Sequence, residues 1–207
     1  MPAVQTLADF RASVAQCESL IANAHRFDAA GAPILPQIDL EQITVAAFLN
    51  MFIAWEAFLE ASIHEHMIGG ATIGGAQPVR YVNPPNLAVA QKMVTGTMRY
   101  FDFANHDNVR KIVNLYFENG YPYEPHISSI VSELNDLRTM RNASAHISST
   151  TQQALESLAG RIFGAPSPDV SLYALLTAPD PTSANGDTVL VTYRRKLDTA
   201  AELISNG

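Results

Sequence analysis

Residues 39–67 read DLEQITVAAFLNMFIAWEAFLEASIHEHM, the longest apolar helical segment that the sequence offers. Asp39 is a good helix N-cap, and Gln42 three residues on can complete a capping box. From there a single helix is expected to run to about Met67, roughly 40 Å at 1.5 Å per residue. Gly69-Gly70 then ends it. From Ile43 to Leu59 the helix is apolar on nearly all sides, which predicts a central place in a bundle. Its most apolar window, Ile43 to Trp55, runs about thirteen residues before Glu56 and reads as a buried helix too short to span a bilayer.

Working outward, the spacing keeps pointing to helices. Leu7, Phe10, Val14, Cys17, Leu20 and Ile21 recur at steps of three and four, predicting a first helix over Val4–Phe27. Ala30 to Pro36 reads as a connection, and the Gly- and Pro-rich Ile68 to Pro85 as a loop with Arg80-Tyr81-Val82 extended. Further helices are expected over Asn86–Phe103 and Asp107–Phe117, the latter ending at Asn119-Gly120. Pro125 opens another, with Ile127, Ile130, Val131, Leu134 and Leu137 as its apolar stripe. A short helix follows over Gln152–Phe163. Residues 164–186 carry four prolines and read as a long loop. Asp187 is placed to cap a terminal helix over 187–205. The fold class is therefore all-α. It is expected to be one domain, 1–207, of four to five main helices with extra short ones.

Composition narrows the function. Of 207 residues 47% are hydrophobic and only 16% charged, so part of the surface is expected to be covered by a second copy of the chain. The net charge of −7 and a pI near 5.3 exclude a generic basic nucleic-acid coat; any RNA contact must be local. The single cysteine, Cys17, rules out an internal disulfide framework and fits a cytoplasmic setting. It sits on the first helical stripe, where it reads as packing. No secretory signal or membrane span is expected.

Arg141-Asn142-Ala143-Ser144-Ala145-His146 carries the chemistry. It closes a strongly helical segment with a fixed cation, an amide and a titratable base. RNA cleavage needs such groups: a 2′-hydroxyl must lose a proton, and a phosphate must be held while it gains charge. Arg141 lies seven residues after Leu134, nearly above it on the helix, so the cation falls on the apolar stripe and needs a partner or a cleft. Glu56, which interrupts the most apolar helix, is the expected partner. Asn142 and His146, four apart, would share a face.

Two segments together resemble the HEPN superfamily of helical-bundle domains. Its motif is an Arg, four to six residues, then a His, often with a polar residue after the Arg, as in Arg141, Asn142 and His146. Trp55-Glu56-Ala57-Phe58 is similar to the Trp-Glu-small-Phe signature of a bacterial branch. The resemblance covers roughly residues 40–146. It implies a HEPN-like bundle and a metal-independent endoribonuclease that works as a homodimer, with two motif helices forming one cleft. Such proteins act in toxin–antitoxin, phage-defence or RNA-processing settings, with a neutralising or defence partner protein. Where many relatives carry Gly after the His, this chain has Ile147. Some members bind RNA or nucleotides without cutting, so a binding or regulatory module is the rival reading. A third reading is a structural domain in which Arg141 and Glu56 form a buried pair.

Other clusters are weighed the same way. His64 and His66 are two apart on a helix and point away from each other, so no metal and no cofactor is expected there. Residues 69–75 are Gly-rich but lack a phosphate-loop Lys, and read as a flexible connection. Tyr116, Phe117, Tyr121 and Tyr123 are expected to pin a helix corner rather than stack on bases. Arg194-Arg195-Lys196, the only basic run, reads as a solvated helix face. Leu137 and Met140 are the candidate apolar centre of a dimer interface.

Overall fold

The computed structural model describes residues 3–145 and 148–207, and among these it is all-α. The helices are α1 (Ala3–Ala24), α2 (Gln37–Met67), α3 (Leu87–Thr95), α4 (His106–Tyr116), α5 (Tyr123–Ser129), α6 (Val131–Ala145), α7 (Ser149–Phe163), α8 (Leu172–Thr177) and α9 (Val189–Asn206). Two compact units result. The first comprises Met1–Arg11, Ala54–Leu134 and Lys196–Gly207; the second, Ala12–Ile53 and Asn135–Arg195. α1, α2, α6 and α9 contribute residues to both.

α2 is 31 residues long and begins at Gln37, so Asp39 sits in its first turn rather than at its cap. There its carboxylate still favours the positive end of the helix dipole. The helix is not surrounded on all sides. Ala47, Phe48, Met51, Phe52, Trp55, Phe58 and Leu59 are buried, whereas Gln42, Ala46, Asn50, Ile53, Ala57 and Glu60 line an open side. Whole, α2 is long and apolar enough to cross a membrane by length and composition, contrary to the reading from its central window alone. Half of that apolar window is buried inside the protein, 50% by residue, as in a core helix.

In the first unit, the apolar side of α2 meets aromatic cover. Phe10 of α1 packs against Trp55 at 6.2 Å between ring centroids and against Phe58 at 5.5 Å. Each such buried side chain contributes roughly 1.5–3 kcal/mol by transfer from water. Val109 and Val113 of α4 are buried on the inward side of an amphipathic helix. Phe117 and Tyr123, 5.7 Å apart, pin the corner between α4 and α5, as expected, while Tyr121 points outward. α2 ends where Gly69 takes a φ of +99°, and Arg80 Nη1 donates to Met67 O at 2.7 Å, capping the last turn. A Cβ on Gly69 would lie 2.9 Å from Arg80 Nη2, so this turn needs glycine. The Gly-rich segment after it is anchored, not merely a connection: Thr72 is buried, and Ile73 N donates to Ser205 O at 2.7 Å.

In the second unit, Val14, Cys17, Phe48, Met51, Leu137, Met140, Leu155 and Leu176 are buried. Leu20 lies off the α1 stripe and is exposed; Ala24 continues the stripe instead. α7 starts at Ser149, with Ser148 and Thr151 forming a reciprocal capping box. Residues 164–186 are not all loop: Ser171 accepts from Ala174 N and caps α8. Asp187 does not cap α9. Its carboxylate binds Ser183 and Arg195, and Thr188 Oγ1 takes the Val191 N–H at 3.4 Å.

The first unit buries His64 and His66. His66 Nδ1 lies 2.6 Å from Tyr123 Oη, while the Nε2 atoms of both rings have no hydrogen-bond partner among the described residues. Burial pushes each imidazole down to about 4. Both are therefore neutral when folded and take up a proton on unfolding below the ordinary value of 6.5. Stability is fully present above that value and falls as the pH drops from it toward the folded pKa. Urea denaturation between pH 7.5 and about pH 5 should show a loss on the order of 3 kcal/mol. An unchanged midpoint over this range, which lies above carboxylate titration, would refute neutral burial of these rings.

Candidate functional site

The motif lies at the end of α6, and α6 is separate from the helix before it. Ile130 leaves helical geometry (φ −121°, ψ 23°), so the expected single helix from Pro125 divides into α5 and α6. Ser129 Oγ donates to His126 O at 2.8 Å and competes with the helical ladder at the break. From Val131 the pattern is regular. Leu134, Leu137 and Met140 are buried, and Arg141 and Asn142 are half-buried at the next turn. Leu137 and Met140 are 0% exposed within the single chain, so they cannot form a dimer interface.

Arg141 Nη1 donates to Asn142 Oδ1 at 3.3 Å, and Ser144 Oγ donates to Arg141 O at 2.6 Å. The structure thus brings together two of the four expected site residues. Glu56 is half-buried in the first unit, on the side of α2 away from buried Trp55 and Phe58; Arg141 belongs to the second. Trp55 and Phe58 of the signature segment are core residues. His146 and Ile147 lie outside the described residues.

A clamp that the sequence reading missed holds α6 in the second unit. Asp136 is buried one turn before Arg141. Its Oδ1 accepts from Arg161 of α7, and its Oδ2 accepts from Tyr193 Oη of α9 at 2.7 Å. Burial, and then the Asp136 carboxylate, push the Tyr193 hydroxyl well above its ordinary range, so it stays a donor. The same carboxylate raises Arg161. The signal in the sequence was an aspartate inside an apolar stripe, where a lone charge is costly unless paired.

A groove of about 430 Å³ runs beside the motif. Ala143 and Ser144 from the end of α6, Ser148 and Thr151 from the start of α7, and Val45 and Leu49 of α2 form its walls. Glu41 is the one charged side chain among its described lining residues. The basic run elsewhere is neutralised. Arg194 pairs with Glu18 at 2.9 Å, Arg195 with Asp187 and Lys196 with Glu133. No group of three or more His, Cys, Asp or Glu is placed to hold a metal among the described residues.

Comparison with protein-family models, with curated proteins and with solved structures gives no match. The resemblance to HEPN proteins therefore rests on Arg141, Asn142, His146 and the Trp55–Phe58 segment alone.

The clamp has a measurable consequence. Tyr193→Phe leaves Asp136 Oδ2 buried without its donor and should cost about 1–2 kcal/mol in urea denaturation. Asp136→Ala should cost more, since it strands both partners. A Tyr193→Phe protein as stable as the parent would show that the clamp does not hold α6.

Proposed function

We propose that the protein is a metal-independent endoribonuclease of the toxin, defence or RNA-processing kind, cutting single-stranded RNA at the end of α6. His146 takes the proton of the 2′-hydroxyl, the 2′-oxygen attacks phosphorus, and the 5′-oxygen leaves with a proton returned by an imidazolium. The products are a 2′,3′-cyclic phosphate and a 5′-hydroxyl end. Arg141 holds the phosphate as it gains charge, and Asn142 orients the guanidinium. No cofactor enters the scheme. The observation that carries this reading is the Arg141–Asn142 hydrogen bond at a helix end, next to a groove shared by the end of α6 and the start of α7. The N-terminus of α7 brings its positive dipole end to that groove, which suits a phosphate.

A second reading, a binding or regulatory module without chemistry, is favoured by the groove itself. Its lining carries Glu41 and no cation among the described residues, and the chain carries −7 overall. In either reading we propose a cytoplasmic protein with RNA or a neutralising or defence protein as partner.

We further propose a two-fold homodimer, because one Arg and one His make a thin site and a second copy supplies both acid and base. With Leu137 and Met140 buried, the open side of α2 in the second unit is the candidate contact: Ala46, Asn50 and Ile53, the last 57% exposed. Ile53→Glu should shift light scattering at micromolar concentration from a dimer to the 22.5 kDa monomer. A parent chain that is already monomeric would remove the dimer.

Incubation of single-stranded RNA with the protein in excess EDTA separates the two functional readings. The nuclease reading expects cutting that persists without metal and falls roughly 10²–10⁴-fold in His146→Ala, with melting unchanged. Cutting that disappears on chelation, or survives His146→Ala at full rate, contradicts it. RNA bound but left intact by the parent chain supports the binding module.

A further inference from the structure

A second pocket, of about 410 Å³, opens in the second unit and owes nothing to the RNA reading. Its walls are apolar: Ile21 of α1, Ala47, Phe48 and Met51 of α2, Leu176 of α8 and Leu190 of α9. Its size falls in the range of roughly 300–1,000 Å³ typical of small-molecule sites. Protein interiors are close-packed, and apolar walls that face a void forfeit dispersion contacts. A pocket of this size kept between four helices is therefore suited to an apolar occupant.

The polar groups on the same walls say what end such an occupant carries. Thr44 Oγ1 donates to Leu40 O at 2.8 Å, so it accepts from His25 Nε2 at 3.2 Å, and the two satisfy each other. Arg194 is different. Its Nε is buried and forms an ion pair with Glu18 Oε1 at 2.9 Å, yet the approach is not aligned as a hydrogen bond. Glu18 is half exposed and can swing away, its side chain keeping 50% of its accessible surface. A half-buried guanidinium at an apolar pocket, paired there with one carboxylate that can swing away, matches a ligand carboxylate in that place.

The geometry points to a binding site for a medium-chain aliphatic carboxylate, its chain between Phe48, Met51 and Leu176 and its head on Arg194. Cys17, the only cysteine of the chain, lines the same pocket and supplies a reporter.

Titration calorimetry on the full chain tests this, with octanoate, decanoate, dodecanoate and 1-decanol kept below their micellar concentrations. Each added methylene should tighten binding about fourfold until the pocket is full. Decanol, and decanoate on Arg194→Gln, should bind at least tenfold more weakly, and Glu18→Gln should tighten decanoate binding. Disulfide modification of Cys17 with benzyl methanethiosulfonate should block decanoate, and dithiothreitol should restore it, which shows that the fold survived. No binding at millimolar decanoate, equal binding of decanol and decanoate, or decanoate binding untouched by the Cys17 adduct would each overturn the assignment.

Discussion

A 31-residue helix whose buried side runs from Leu40 to Met67 sets the terms for everything packed on it. Its buried residues include Phe48, Phe52, Trp55, Phe58, Leu59 and Ile63, and leaving that side in water would cost well over the few kcal/mol by which domains are stable. Cover is supplied separately in each unit. In the first, Phe10 closes over Trp55 and Phe58. In the second, Ile21, Leu176 and Leu190 stand with Phe48 and Met51 around a space they do not fill. The same requirement that builds the core thus leaves a pocket where the covering side chains fall short.

The elements that could be read from the sequence were those with a local physical cause. α2 ends at Met67 because Gly69 alone can take the reversing conformation, and α4 starts where Asn105 accepts from Asn108 N. The misreadings have equally local causes. α3 stops at Thr95, eight residues early, because Gly96 takes a positive φ, which the scattered Met98, Tyr100, Phe101 and Phe103 beyond it conceal. α5 and α6 part at Ile130 although no Pro or Gly stands there; the Ser129 hydroxyl takes the His126 carbonyl, and Ile130 and Val131 are both β-branched. α8 lay hidden among prolines, though Ser171 ahead of Leu172 was a cap in plain sight. Helical period alone made α2 look central, since alanines on its open side count as apolar yet need no cover.

The candidate site was legible to a lesser degree, because sequence spacing fixes neighbours on one helix and not partners on another. Arg141 and Asn142 are adjacent and do meet. Asp136, which ties α6 to α7 and α9, depends on Arg161 and Tyr193, residues 25 and 57 positions away, and no periodicity announces them. The basic run 194–196 looked solvated and instead meets three carboxylates, those of Glu18, Asp187 and Glu133. The proposed function places the phosphate between Arg141 and the start of α7, so it stands or falls with one groove.

Where RNA touches the protein tests that account most directly. Single-stranded RNA carrying photoreactive uridines would be crosslinked to the unmodified chain, and the adducts mapped to peptides by mass spectrometry. Adducts are expected on the peptides that span the end of α6 and the first two turns of α7. Adducts confined to α9 around Arg194–Lys196, or spread evenly over the chain, would contradict it.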